Sequence, residues 1–147
     1  MKSAHQTYPK PPSPCYCLNT RRASRAITQY YERFLAPCAL TLAQLSLLRQ
    51  LPCLESIAIQ QLAERMRIDR TTLNRNLKPL LVSGLISIQP GPDSRTRQVR
   101  LTEAGSAALT QGWEHWGEAQ ESLKAYLGEA YLLALENVLF RLEALVP

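Results

Sequence analysis

The chain has 147 residues, with 17 Lys and Arg against 12 Asp and Glu, for a net charge of +5. That length suits one domain with a modest core. No run approaches the roughly 20 apolar residues that a membrane span needs, and the start lacks the apolar stretch of a secretory signal, so a cytoplasmic location with no membrane partner is expected.

Charge is unevenly placed. Residues 65–100 hold eight basic groups (Arg65, Arg67, Arg70, Arg75, Lys78, Arg95, Arg97 and Arg100) against Asp69 and Asp93, whereas residues 101–147 hold two basic and seven acidic groups. A local positive field attracts a polyanion and releases its counterions, while the acidic far end is better suited to a partner subunit.

Met1–Pro14 contains Pro9, Pro11, Pro12 and Pro14 and almost no apolar side chains, so residues 1–14 read as a flexible arm and residues 15–147 as a single domain. The four cysteines, Cys15, Cys17, Cys38 and Cys53, read as free thiols in a chain without an export signal. None of the usual zinc spacings occurs, so no metal and no other cofactor is expected.

From Leu18 to Leu35, Ala23, Ile27, Tyr30 and Phe34 fall on one helical face, and Pro37 closes this first helix. Thr41 is placed to cap a short second helix whose Leu42, Leu45, Leu48 and Leu51 are core residues and which Pro52 ends. Ser56 opens a third segment, with Ile59, Leu62, Ala63 and Met66 at helical spacing, before a break at Ile68-Asp69.

Asp69 then suits the N-cap of a helix running to Ser83, with Gly84 as its left-handed terminator. Leu73, Leu77, Leu80 and Leu81 form the expected buried stripe of this helix, which turns Arg70, Thr71, Asn74, Arg75 and Lys78 outward with Thr72 at the margin. These are groove-reading groups: Arg and Lys pair with guanine edges or phosphates, Asn bonds adenine bidentately, and Thr contacts phosphate or a thymine methyl. Pro79 is an oddity inside this helix, because it removes one backbone donor.

Leu85 to Gln89 alternates as a half-buried strand, Pro90-Gly91-Pro92-Asp93 is a turn signal, and Arg95 to Leu101 returns with Val99 and Leu101 on one face. Arg95 and Arg97 flank the tip of this two-stranded wing, where an arginine can enter a narrow minor groove without reading individual bases. Thr102 caps a last helical region, less regular through Gly112, Trp113, Trp116 and Gly117, in which Leu132, Leu135, Leu139, Leu142 and Val146 then repeat every three or four residues. Leu133 and Phe140 add a second apolar strip, so the terminal helices are expected to build a homodimer interface.

The expected fold is therefore mainly α: a winged helix-turn-helix with a two-stranded β wing at about 41–102, flanked by dimerisation helices at about 17–36 and 103–146. An enzyme is disfavoured by the two histidines, one of them in the arm, and by the lack of a nucleophile-base spacing or a glycine-rich phosphate loop. A winged-helix module that presents its basic face to an acidic protein remains an alternative.

Asp93-x-Arg95 followed by Val99-x-Leu101-Thr102-x-x-Gly105, preceded by Asp69-Arg70-Thr71-Thr72-Leu73-x-Arg75-x-Leu77, resembles the MarR family of bacterial transcriptional regulators. The resemblance runs from about Cys17 to Leu145. It implies a dimer on a palindromic operator of double-stranded DNA, with one recognition helix in each of two successive major grooves. It also implies DNA contact by Arg95, a wing tip shaped by Asp93, and repression relieved by a small aromatic or phenolic ligand or by oxidation of a cysteine. Cys17, with Arg25 eight residues on and Tyr31, is similar to the branch that senses organic hydroperoxides, but Arg21 and Leu42 stand where that branch has tyrosines. Redox sensing by Cys17, with Cys15 as a neighbouring thiol, and simple buried packing both stand open. Trp113, Trp116, Tyr30 and Tyr31 are candidate pocket residues or simply core.

Overall fold

Thr41 shows how closely local chemistry sets these elements. Its hydroxyl accepts from the Gln44 N–H at 3.1 Å, while the Gln44 side chain accepts from the Thr41 N–H at 3.0 Å, a reciprocal box that satisfies two otherwise orphaned donors. In the computed structural model, which describes residues 11–51, 55–93 and 95–146, the order is α1 (Tyr16–Leu35), a 3₁₀ turn (Ala36–Cys38), α2 (Leu42–Gln50), β1 (Ile57–Ala58), α3 (Ile59–Met66), α4 (Arg70–Val82), β2 (Ile86–Pro90), β3 (Arg97–Leu101), α5 (Glu103–Leu127) and α6 (Glu129–Glu143). The fold is mainly helical with a winged helix-turn-helix at its centre. The core is aliphatic: Leu35, Leu45, Leu47, Leu48, Leu62, Leu73, Leu77, Leu80, Ile86 and Val99 are fully buried.

Several details differ from the sequence expectation. The sheet has three antiparallel strands in the order β1-β3-β2, not two, because Ile57–Ala58 pairs with β3 before α3 begins; Val99 lies opposite both Ile57 and Ile88. A two-residue strand carries too little alternation to be read from sequence. The wing strands themselves are Ile86–Pro90 and Arg97–Leu101, each starting later than expected. Leu81 does not belong to the buried stripe and is 42% exposed, because that stripe is completed by Leu80 on the neighbouring side of the helix. In α1 the buried residues are Tyr31 and Leu35, while Ala23 and Ile27 are exposed in the single chain.

The last helical region is two helices, separated at Gly128 in a positive-φ conformation (φ 77°). α5 is one unbroken helix rather than an irregular segment. Gly112 fits within it because a side chain there would press on Leu45 and Leu40. Of the expected arm, residues 1–10 lie outside the described residues, as do Pro52 and Cys53. Ser13 is tied to α1: its N–H donates to Asn19 Oδ1 at 2.9 Å, and Asn19 Nδ2 returns a bond to the Ser13 carbonyl at 2.7 Å.

Candidate nucleic-acid interface

α4 is placed by its start. Asp69 accepts the Thr72 N–H at 2.9 Å and the Thr72 hydroxyl as well, which caps the helix and holds the Asp69 carboxyl below its ordinary range. The Thr72 hydroxyl is therefore spent within the protein. Before the cap, Arg67 turns the chain in the left-handed region (φ 52°), and the Ile68 N–H donates to the Ala63 carbonyl at 3.1 Å. That pair of residues makes the turn between α3 and α4. Arg65 braces α3 from behind by donating to the Gln50 carbonyl at the end of α2.

With Leu73, Leu77 and Leu80 buried, Thr71, Arg75, Lys78 and Val82 form one exposed crest along α4 at helical spacing. Arg70, Asn74, Leu77, Lys78 and Leu81 line the flank toward the wing. There they meet Ile59, Ile88 and Arg97 around an open cleft of about 270 Å³. The structure thus brings Arg97 of the wing to the α4 flank, while Arg95 stands exposed at the tip. Leu81 and Val82 were not anticipated on this surface; the helical period places Val82 on the crest, but its apolar character hid it.

The wing tip is held by its own backbone. Asp93 Oδ1 accepts the Arg95 N–H at 2.7 Å, the Asp93 carbonyl accepts from both the N–H and the hydroxyl of Thr96, and the Gly91 N–H donates to the Thr96 carbonyl at 2.8 Å. These bonds fix where Arg95 leaves the turn. Among the described residues the side chains that meet a carboxylate at this range are His115, on Glu118, and Lys124, on Glu121, so Arg70, Arg75, Lys78, Arg95 and Arg97 have no carboxylate partner there. A surface of unneutralised donors is what a phosphate backbone requires.

Thr102 ties this surface to the long helix behind it. Its N–H donates to the Leu85 carbonyl at 3.1 Å, its hydroxyl donates to the Gly84 carbonyl at 2.7 Å, and the same oxygen accepts the Gly105 N–H at 3.0 Å. Gly105 is required because a Cβ there would collide with the backbone of Leu85. The Leu-Thr-x-x-Gly signature is thus a junction between the end of α4, the wing and α5.

Behind the junction, Tyr30 donates to Ser122 and Tyr31 to Gln120, both at 2.6 Å, which fastens α1 to α5. Burial, then the neighbouring Tyr30, pushes the Tyr31 phenol up. Trp113 and Trp116 stack at 4.2 Å, and the Arg49 guanidinium covers Trp113 at 4.1 Å. The four aromatic residues thus spend these contacts within the chain.

Cys15 occupies the N-cap position of α1, and both it and Cys17 are exposed, so Cys17 is not a buried packing residue in the single chain. Cys38 is half-buried and its thiol donates to the Leu35 carbonyl. On α6, Leu132 and Leu135 are half-buried whereas Leu139 and Leu142 are exposed, and no α6 residue is buried. Phe140, at 80% exposure, and Leu133 widen this bare apolar face. Among the described residues no group of three or more His, Cys, Asp or Glu is placed to hold a metal ion, and no helix is long and apolar enough to cross a membrane.

A family model described as MarR family matches residues 40–97. The transcriptional regulator MosR of M. tuberculosis, solved in complex with DNA, is 34% identical, with a TM-score of 0.73 over 90% of this chain and 99% of that one. A variant of MarR from E. coli complexed with operator DNA (24% identity, TM-score 0.75, 89% and 93% of the two chains) shares the fold. So does the transcriptional repressor CouR bound to a 23-mer DNA duplex (24% identity, TM-score 0.77, 88% and 92%). No curated protein sequence matches.

Proposed function

This chain belongs to the MarR family of transcriptional regulators, and from that premise we propose that it is a dimeric, sequence-specific DNA-binding repressor working in the cytoplasm on a palindromic operator. It is a DNA-binding regulator and not an enzyme. The observation that carries the reading is the single surface on which Arg70, Asn74 and Lys78 of α4 meet Arg97 of the wing, with none of its three cations neutralised by a described carboxylate. In this reading Arg70, Thr71, Asn74, Arg75 and Lys78 lie along the major groove, Arg95 and Arg97 reach the backbone or minor groove beside it, and Thr72 and Asp93 act through the geometry they impose. Residues 41–102 read DNA. The apolar face of α6, with Leu139 and Leu142 exposed, takes a second copy, so two readers sit at a fixed spacing.

Arg75→Ala and Arg95→Ala test it. Each variant should stay folded and dimeric and bind its upstream DNA about 1–3 kcal/mol more weakly if a base contact is lost; a lost phosphate contact lowers the salt slope by about one. Unchanged salt-controlled binding curves for both would remove the assignment, and indifference to DNA sequence together with a tight acidic protein partner would favour the protein-interaction module.

Release of DNA by a small aromatic or phenolic ligand is the regulation the family suggests. A thiol switch is a second reading, favoured by the exposure of Cys15 and Cys17 together at the start of α1. There the Cys17 thiolate takes an oxygen from an organic hydroperoxide, giving a sulfenic acid and an alcohol, and a second thiol then displaces water to form a disulfide. DNA binding by wild type that is indifferent to hydroperoxide would dismiss this reading; loss in wild type but not in Cys17→Ser supports it.

A further inference from the structure

Pro79 is exposed inside α4, between the buried Leu77 and Leu80 that hold this turn to the core. Packing therefore does not require proline there. Proline has no N–H to give the carbonyl of Arg75, and its ring crowds that carbonyl, which opens the helix on the side where the ring lies. The disturbance is local: the Ser83 N–H again donates to the Pro79 carbonyl at 3.0 Å, and Leu80 is in register with the core. Helical spacing places Pro79 one turn beyond Arg75 on the outward side, beside the crest of Thr71, Arg75, Lys78 and Val82. The one proline inside α4 thus falls beside the exposed crest of the helix.

We propose that Pro79 is a specificity-determining residue for DNA recognition: it leaves the Arg75 carbonyl as an acceptor on the outward face and bends α4 there, so that base preference opposite Arg75 depends on it. This rests on the DNA-binding reading above. Arg70, Arg75 and Lys78 bring only donors to the surface, which leaves Asn74 and Thr71 as its side-chain acceptors. Those donors suit guanine edges and phosphates. The Arg75 carbonyl, which cannot receive an N–H from Pro79, adds a backbone acceptor beside Asn74 for the exocyclic amine of cytosine or adenine, directly or through an ordered water. Opening the turn also changes the direction in which the Arg75 side chain leaves the backbone. Pro79→Ala returns the N–H to Arg75 and closes the turn, with no core side chain altered.

The test is selection from a pool of randomised duplexes by the full-length wild type and by Pro79→Ala, each checked for its dimer and its melting temperature. Both should enrich a motif with two half-sites. The variant should melt higher and lose preference at one position in each half-site, so that discrimination there falls about tenfold, the size of one base-pair mismatch. A variant that keeps the wild-type preference at every position overturns the proposal, as does a uniform loss of affinity with the motif intact, which a merely structural role would give. A wild type that enriches no motif overturns the DNA-binding reading itself, and the role of Pro79 with it.

Discussion

Gly105→Ala should destabilise the protein, although alanine is the better helix former. Gly105 lies in the first turn of α5, and an added Cβ would sit 2.9 Å from the carbonyl carbon of Leu85, closer still to its oxygen, and 3.0 Å from Leu101 Cδ2. The leucine methyl can turn aside, but the carbonyl is backbone and accepts the Thr102 N–H at 3.1 Å. Overpacking of this kind costs about 1–3 kcal/mol, and the strained or lost backbone bond adds about 1 kcal/mol. Helix propensity offsets up to about 1 kcal/mol of that. A net loss of about 2 kcal/mol lowers the melting temperature by roughly 4–8 °C in a chain of this size. Urea and thermal unfolding at one fixed protein concentration would read it, since a dimer's midpoint moves with concentration. Gly117→Ala is the matched control, because its Cβ meets nothing within 4 Å, and it should stabilise α5 by about 1 kcal/mol. Equal shifts of the same sign for both variants would refute the crowding argument.

Asp69→Ala should loosen the start of α4 and flatten the acid end of the stability profile. The folded Asp69 carboxyl titrates below its ordinary value of 3.8. Its stabilisation is thus fully present above that value and lost as pH falls through the lower folded value. Melting temperatures from pH 5 to pH 2.5 check this, and parallel curves for variant and wild type would contradict it. Leu139→Glu should leave the chain helical but monomeric by sedimentation, because the residue is 45% exposed on a face with no buried member; a dimer of wild-type strength would place the interface elsewhere. Arg49→Leu removes the guanidinium over Trp113 and should cost about 0.5–1 kcal/mol. Tryptophan emission identical to wild type would mean that the stack does not form in solution.

The long-period features of this fold were legible in the sequence because each rests on a local rule. Asp69, Thr41 and Thr102 were readable as caps since an N-cap needs only a short side-chain oxygen beside an amphipathic run. Gly84 was readable as a terminator because its positive φ (73°) is costly for other residues. What escaped depends on tertiary neighbours. β1 exists only because Ile57 finds Val99 across the sheet. Leu81 is apolar by type yet lies on the cleft flank, since the buried arc of α4 already ends at Leu77 and Leu80. Arg67, a non-glycine residue at φ 52°, makes the α3–α4 turn without any turn composition to announce it.

The same contrast explains why the basic surface and the bare apolar face belong to one device. Among the bonds that join the recognition unit to α5, those at Thr102 tether the end of α4 and the start of β2 to the first turn of α5. α5 in turn carries Ser122 and Gln120, the acceptors that hold α1, and is joined to α6 through Gly128. A change in the packing of α1 or α6 therefore reaches Gly84 and the wing through one continuous helix and a three-bond junction, with no flexible linker between. In the dimer proposed above, either switch, a small ligand or a bond at Cys17 on α1, would need only to shift α5 of one copy relative to the other to change the spacing of the two recognition helices.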